Sequence, residues 1–172
     1  SVSINGTFAT YTPTSNYNGD DSFTFTVSDG ELTDTASVTL IITPVNDAPV
    51  LEAVSDVSFA EDTSGSIILS GSDVDNEELS YSITSGTDII ASLSGNDVTF
   101  SAPDNFNGSE SFTATVSDGE LSDSQSFTVT ITAVNDAPVA TTGLSVVADE
   151  DQSIVVSLSA TDIDGDNLSF SL

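Results

Sequence analysis

Apolar and polar positions alternate along short runs of this chain, as in Leu79-Ser80-Tyr81-Ser82-Ile83, Phe112-Thr113-Ala114-Thr115-Val116 and Phe127-Thr128-Val129-Thr130-Ile131. Ile67-Ile68-Leu69 and Val98-Thr99-Phe100 add shorter runs of the same kind. A period of two built from β-branched and aromatic residues predicts strands with one buried face. Between the runs lie Ser85-Gly86-Thr87-Asp88, Ser94-Gly95-Asn96-Asp97 and Asn105-Phe106-Asn107-Gly108, whose small and polar residues are turn formers. No helical stripe interrupts the pattern. The expectation is an all-β chain of antiparallel strands.

The pattern repeats. Asn46-Asp47-Ala48-Pro49-Val50 returns as Asn135-Asp136-Ala137-Pro138-Val139, a spacing of 89 residues, and Asn18 to Val50 laid on Asn107 to Val139 gives 23 identities in 33 positions. Glu61-Asp62 meets Glu150-Asp151, and Asp73-Val74-Asp75 meets Asp162-Ile163-Asp164 at the same spacing. The chain is therefore a tandem array. Residues 1–48 are expected to be the back part of one unit, 49–137 a complete unit and 138–172 the front part of the next. About seven short strands in 89 residues suit an antiparallel β-sandwich of immunoglobulin-like size with its own core. The chain opens without an initiator Met or a leader, which suggests a mature or excised piece of a larger protein. Part-sandwiches expose apolar faces and strand edges, so each flank is expected to be completed, either by covalent continuation of a longer polymer or by an identical copy, head to tail.

Charge narrows the possible partners. The 28 Asp and Glu residues face no Lys, Arg or His, for a formal net charge of −28. Self-repulsion of this size destabilises a compact body, and relief must come from external cations. Nucleic acid and anionic membranes are poor partners for such a surface, because both need basic residues, and no nucleic-acid partner is expected. No apolar run is long enough for direct membrane insertion. Without Cys there is neither a disulfide framework nor thiolate chemistry. Catalysis lacks a His or Lys base and any group to stabilise a developing anion, so the chain is read as not an enzyme. Lys–Asn isopeptide cross-links are impossible as well.

The carboxylates avoid the strand interiors. They gather in turns and near the repeated Asn-Asp-Ala-Pro segments, and Asp73-Val74-Asp75 is followed by Asn76-Glu77-Glu78. In Asp-x-Asp both carboxylates point one way while the central apolar residue anchors the turn. Hard divalent cations take six to eight oxygens from carboxylates, amide carbonyls and backbone carbonyls on flexible loops, and calcium is the cation this pattern suits best. Asp88, Asp97 and Asp104 are read instead as turn residues that bond their own backbone.

Thr161-Asp162-Ile163-Asp164-Gly165-Asp166-Asn167-Leu168-Ser169-Phe170-Ser171 resembles the cadherin segment that carries an Asp-x-Asp calcium motif. Val-Asn-Asp-Ala-Pro-Val resembles the cadherin inter-repeat linker, Ala60-Glu61-Asp62-Thr63 its Pro-Glu-Asn start, and Val116-Ser117-Asp118-Gly119 its Ala-x-Asp-x-Gly strand end. Over its whole length the chain resembles the cadherin-like tandem repeats of very large bacterial surface proteins and adhesins. That resemblance implies tandem cadherin-like sandwiches with Ca2+ at each junction. The first junction would use Asn46, Asp47, the Ala48 carbonyl, Asp73, Asp75 and Asp118, with Asn18 or Asp20 approaching from the preceding unit. The second would use Asn135, Asp136, Asp162, Asp164 and Glu61, with Asn107 nearby; Glu150 and Asp29 would serve junctions outside this stretch, and Glu77, Glu78 and Asp166 are further candidates. Pro44 and Ala133 stand where cadherins place a linker acid, and the Asp-Arg-Glu motif is missing. One or two ions per junction follow, with affinity of roughly 10⁻⁴ to 10⁻³ M. The implied role is a calcium-rigidified stalk or filament of a secreted or surface-anchored bacterial or archaeal protein supporting adhesion or biofilm. A calcium-dependent module gripping carbohydrate or a partner cell is the alternative, and the absence of Trp speaks against it.

Overall fold

The computed structural model describes residues 1–75 and 78–172, and its described elements are all strands. Four come first: β1 (Val2–Asn5), β2 (Phe8–Tyr11), β3 (Gly19–Ser28) and β4 (Thr33–Ile42). Nine follow: β5 (Val50–Leu51), β6 (Val57–Ala60), β7 (Gly65–Ile68), β8 (Gly71–Ser72), β9 (Ser80–Ile83), β10 (Ile90–Ser94), β11 (Asp97–Ser101), β12 (Gly108–Ser117) and β13 (Ser122–Thr132). Two short ones close the chain, β14 (Val139–Ala140) and β15 (Ala160–Thr161). Nine elements stand between 50 and 132 where about seven were expected. The excess is the two-residue pair β5–β8, too short to leave an alternation in the sequence.

Seven of these nine strands make the two sheets of a sandwich, and β5 and β8 pair separately. One sheet has the order β6-β13-β12-β9 and the other β10-β11-β7. Neighbours run antiparallel except β6 and β13, which are parallel from Val57↔Val129 to Ala60↔Thr132. Alternate residues of β11, β12 and β13 point inward, and Val98, Phe100, Phe112, Ala114, Val116, Phe127, Val129 and Ile131 are all buried. Phe100 reaches across from its sheet to Phe112 and Phe127 with ring centroids 5.3 and 6.0 Å apart, both in edge-on arrangements favoured by the ring quadrupoles. Leu51, Leu69 and Ile89 complete the core.

Local chemistry sets the connections. The β10–β11 hairpin turns in two residues, with Gly95 at φ +66° in the first central position, where a side chain would be strained. The 87–89 backbone is tied down by Glu110, whose carboxylate accepts the amides of Thr87, Asp88 and Ile89. A Cβ on Gly86 would collide with that carboxylate and with the Ile89 carbonyl, so only glycine fits there. The 51–54 segment bonds to side chains of β13 in place of a full strand ladder. Asp123 accepts the Leu51 amide, and Gln125 both accepts the Val54 amide and donates to the Leu51 carbonyl.

Candidate metal centre

The turn after β8 is built by its own acids. The amide of Asp75 donates to Asp73 Oδ1 at 2.7 Å, and Asp75 Oδ2 accepts the Asp47 amide at 2.8 Å. Asp118, at the end of β12, has two tasks. Its Oδ1 accepts the amides of Glu120 and Leu121, closing the β12–β13 turn, while Oδ2 accepts the side-chain amide of Asn46 at 2.8 Å. The Asn46 bond, ahead of the two backbone amides, holds the Asp118 carboxyl below the usual carboxylate range. Asn46, Asp47, Asp73, Asp75 and Asp118 are thus joined through two contacts between the 46–47 linker and the top of the sandwich.

The 135–166 region repeats this construction. Asp164 donates its amide to Asp162 Oδ1 at 3.0 Å, Asp166 does so at 3.3 Å, and Asp164 Oδ2 accepts the Asp136 amide at 2.7 Å. Glu61, directly after β6, reaches up to the same linker: its Oε1 accepts the Val134 amide at 2.5 Å. Glu61 is only 4% exposed, and its Oε2 has no hydrogen-bond partner among the described residues. Asp136 Oδ2 is likewise buried without a partner. Burial, then the charges of Asp164, Asp62, Glu61 and Asp162, push the Asp136 carboxyl above its ordinary value. Four acids from two other segments therefore act on Asp136 here. Asn135 is turned away, its side-chain amide donating to the Asp136 carbonyl at 2.9 Å.

The outlying candidates are placed as follows. Asn18 lines an open cleft with Asp47 and Asp75. Asp20 lies in β3, where its carbonyl accepts the Tyr17 hydroxyl. Asp29 closes its own turn through the amides of Glu31 and Leu32, as Asp118 does. Glu150 and Asn107 are exposed. Asn76 and Glu77 lie outside the described residues. Asp62 was missed from sequence because an Asp in a turn passes for a backbone cap; its recurrence as Asp151 was the available signal.

Two buried carboxylate oxygens have no donor among the described residues of a chain without a cationic side chain, and they are oxygens of the kind a hard cation takes. Glu61, Asp136, Asp162 and Asp164 are the residues that would hold it. Among the described residues no three acids are already drawn into ion-holding geometry. Like charges with nothing between them repel, and each carboxylate here rests on a backbone amide or stands off.

The chain belongs to the bacterial Ig domain family, which it matches over residues 1–41 and 46–132. Its fold is an all-β immunoglobulin-like sandwich. Among solved structures, an endo-fucoidan hydrolase from glycoside hydrolase family 107 is 20% identical with a TM-score of 0.39, over 78% of this chain and 22% of that one. Titin domain M7 is 19% identical with a TM-score of 0.37, over 53% of this chain and 100% of that one. Surface layer protein SbsC, domains 4–9, is 18% identical with a TM-score of 0.30, over 84% of this chain and 24% of that one. This chain spans about a fifth of the hydrolase, and at such values none of these likenesses bears on function. No curated protein matches the chain.

Proposed function

We propose that the chain is a non-enzymatic structural module of a secreted or cell-surface tandem-repeat protein, in which calcium stiffens the junctions between sandwiches. The observation that carries this reading is the pair of buried oxygens without a hydrogen-bond partner, Glu61 Oε2 and Asp136 Oδ2, with the charges of Glu61, Asp162 and Asp164 acting on Asp136. Isolated buried carboxylates are costly, and with no Lys, Arg or His in the chain no side chain supplies the compensating positive charge, which a bound cation would.

Its action would be mechanical. Glu61 belongs to the sandwich, Asp136 to the linker and Asp162 and Asp164 to the segment beyond, so one cation held by all three restricts rotation about the linker. Bound only by the folded arrangement, it also stabilises by mass action. Neighbouring repeats of the same chain, or identical copies head to tail, are the partners this role needs. An affinity in the roughly 10⁻⁴ to 10⁻³ M range typical of extracellular modules is expected, which suits a protein working outside the cell.

Calorimetric titration of the 172-residue chain with calcium at moderate ionic strength, with small-angle scattering in calcium and in chelator, tests the reading. Saturable binding with a longer, stiffer particle in calcium is expected. Melting and scattering that ignore calcium, and that sodium alone restores, would overturn it.

A further inference from the structure

Among the described residues, four non-glycine residues adopt left-handed backbone: Asn16 (φ 59°), Asp62 (φ 59°), Asn105 (φ 57°) and Asp151 (φ 62°). They form two pairs at the 89-residue spacing, Asn16 with Asn105 and Asp62 with Asp151. Asp and Asn tolerate this conformation better than other side chains, but it is still an uncommon one, and its recurrence marks positions where the backbone has to turn this way. In the complete sandwich the two positions touch. Asp62 Oδ1 accepts the Asn105 amide at 2.9 Å across 43 residues of sequence.

Both partners also face the cation site. The charge of Asp62 is among those acting on Asp136, second after Asp164. Asn105 lines an open cleft together with Asp136, Thr161 and Asp162. The equivalent cleft at the 46–47 linker is lined by Asn16, Asp47 and Asp75. The 103–107 loop therefore stands beside the linker acids in one case and the 14–18 loop in the other. Asn18 and Asn107, expected near the two junctions, belong to these loops.

Building on the calcium reading, we infer that the Asp62–Asn105 pair is a clasp that fixes the 103–107 loop as one wall of the cation site between Glu61 and Asp164. Asp62 is a positioning residue there: it holds Asn105 through Oδ1, and it directly follows Glu61, the buried acid whose Oε2 has no hydrogen-bond partner among the described residues. Cation affinity at the second junction then depends on a contact inside the preceding sandwich.

Two substitutions separate the clasp from plain folding. Asp62→Gly keeps the left-handed backbone accessible and removes the acceptor, whereas Asp62→Asn keeps both the backbone and an Oδ1 acceptor and removes only the charge. In calorimetric titration of the full chain with calcium chloride, Asp62→Gly is expected to weaken the second-junction site about tenfold, the size of effect usual for groups that orient ligands. Asp62→Asn should stay within about threefold of the parent, and melting of both variants in chelator should match it. A wild-type chain with no saturable calcium site defeats the calcium reading itself. Saturable binding that Asp62→Gly leaves unchanged defeats only the clasp, as does a loss in Asp62→Asn as large as in Asp62→Gly, which would make Asp62 a charge donor. A melting loss in chelator equal to the loss in calcium would assign the pair to folding alone.

Discussion

The hairpin β3–β4 and the hairpin β12–β13 are nearly the same object with different fates. Their registers match at the 89-residue spacing, from Gly19↔Ile42 and Gly108↔Ile131 to Ser28↔Thr33 and Ser117↔Ser122. Their turns are closed by the same Asp and Ser contacts. Yet Val116 is fully buried while its counterpart Val27 is 59% exposed, and Phe25 is 42% exposed where Ala114 is covered. The difference lies in what faces each hairpin. β7, β10 and β11 lay a second sheet over β12–β13, whereas β3 and β4 form a two-stranded sheet by themselves, with Ile4 and Phe8 of the β1–β2 hairpin lining a cavity with Phe23 and Phe25. Register and turn are thus local properties of the sequence, whereas burial has to be supplied from elsewhere in the chain.

The largest break in this comparison should come from the core. Phe100→Ala removes the ring that joins the two sheets and should cost about 3–5 kcal/mol in urea unfolding of the sandwich. Val116→Ala should cost about 2 kcal/mol, while Val27→Ala should stay within about 0.5 kcal/mol. Equal losses for the two valines would show that the first hairpin is covered in solution.

Next comes the junction. In calcium, Glu61→Gln should weaken binding about tenfold by removing a buried ligand, and Glu150→Gln, exposed at the equivalent position, should leave it unchanged. In chelator the order should invert, because neutralising Glu61 relieves its repulsion with Asp136, so the variant should melt higher than the parent. A Glu61→Gln chain that melts lower in both conditions would make the Val134 bond the main role of Glu61.

The strands that carry the core were legible because each spans two or more full alternations and ends in a turn former. Val98, Phe100, Phe112, Val116 and Phe127 could be assigned to one face from sequence alone. β5 and β8 could not, since two residues have no period. The Asp-x-Asp turns and the linker acids stood out because they recur. Glu61 was identified only through its motif, and its burial and its bond to Val134 depend on β6 lying parallel to β13, a pairing across 72 residues that no local pattern encodes. Asp62 and Asn105 were hidden for a related reason: their backbone conformation and mutual contact are tertiary, and each by itself reads as an ordinary turn residue.

A smaller effect separates two other counterparts, Glu110 and Asp21. Both carboxyls are held below their ordinary range, Glu110 chiefly by the Asp88 amide and Asp21 chiefly by the Tyr11 hydroxyl. A depressed folded-state pKa contributes stability that is present above the unfolded pKa and is lost as pH falls through the folded one. Acid unfolding of the sandwich below about pH 4.5 should therefore flatten in Glu110→Gln and be unaltered in Asp21→Asn. Identical acid limbs in parent and Glu110→Gln would remove Glu110 from the account.

The parallel pairing of β6 with β13 has a consequence for a chain under tension. Force enters the sandwich through residues 50–56 and leaves through 133–134, so it pulls the start of β6 and the end of β13 in opposite directions along their length. Rungs loaded in this way share the strain and must rupture together, unlike a hairpin pulled open from one end, which unzips bond by bond. The ladder runs on beyond its last strand pair through the Glu61 amide to the Thr132 carbonyl, and then through Glu61 Oε1 to Val134. The load path thus passes directly through the carboxylate proposed to take the cation, and single-molecule pulling should show a rupture force that rises when calcium replaces chelator.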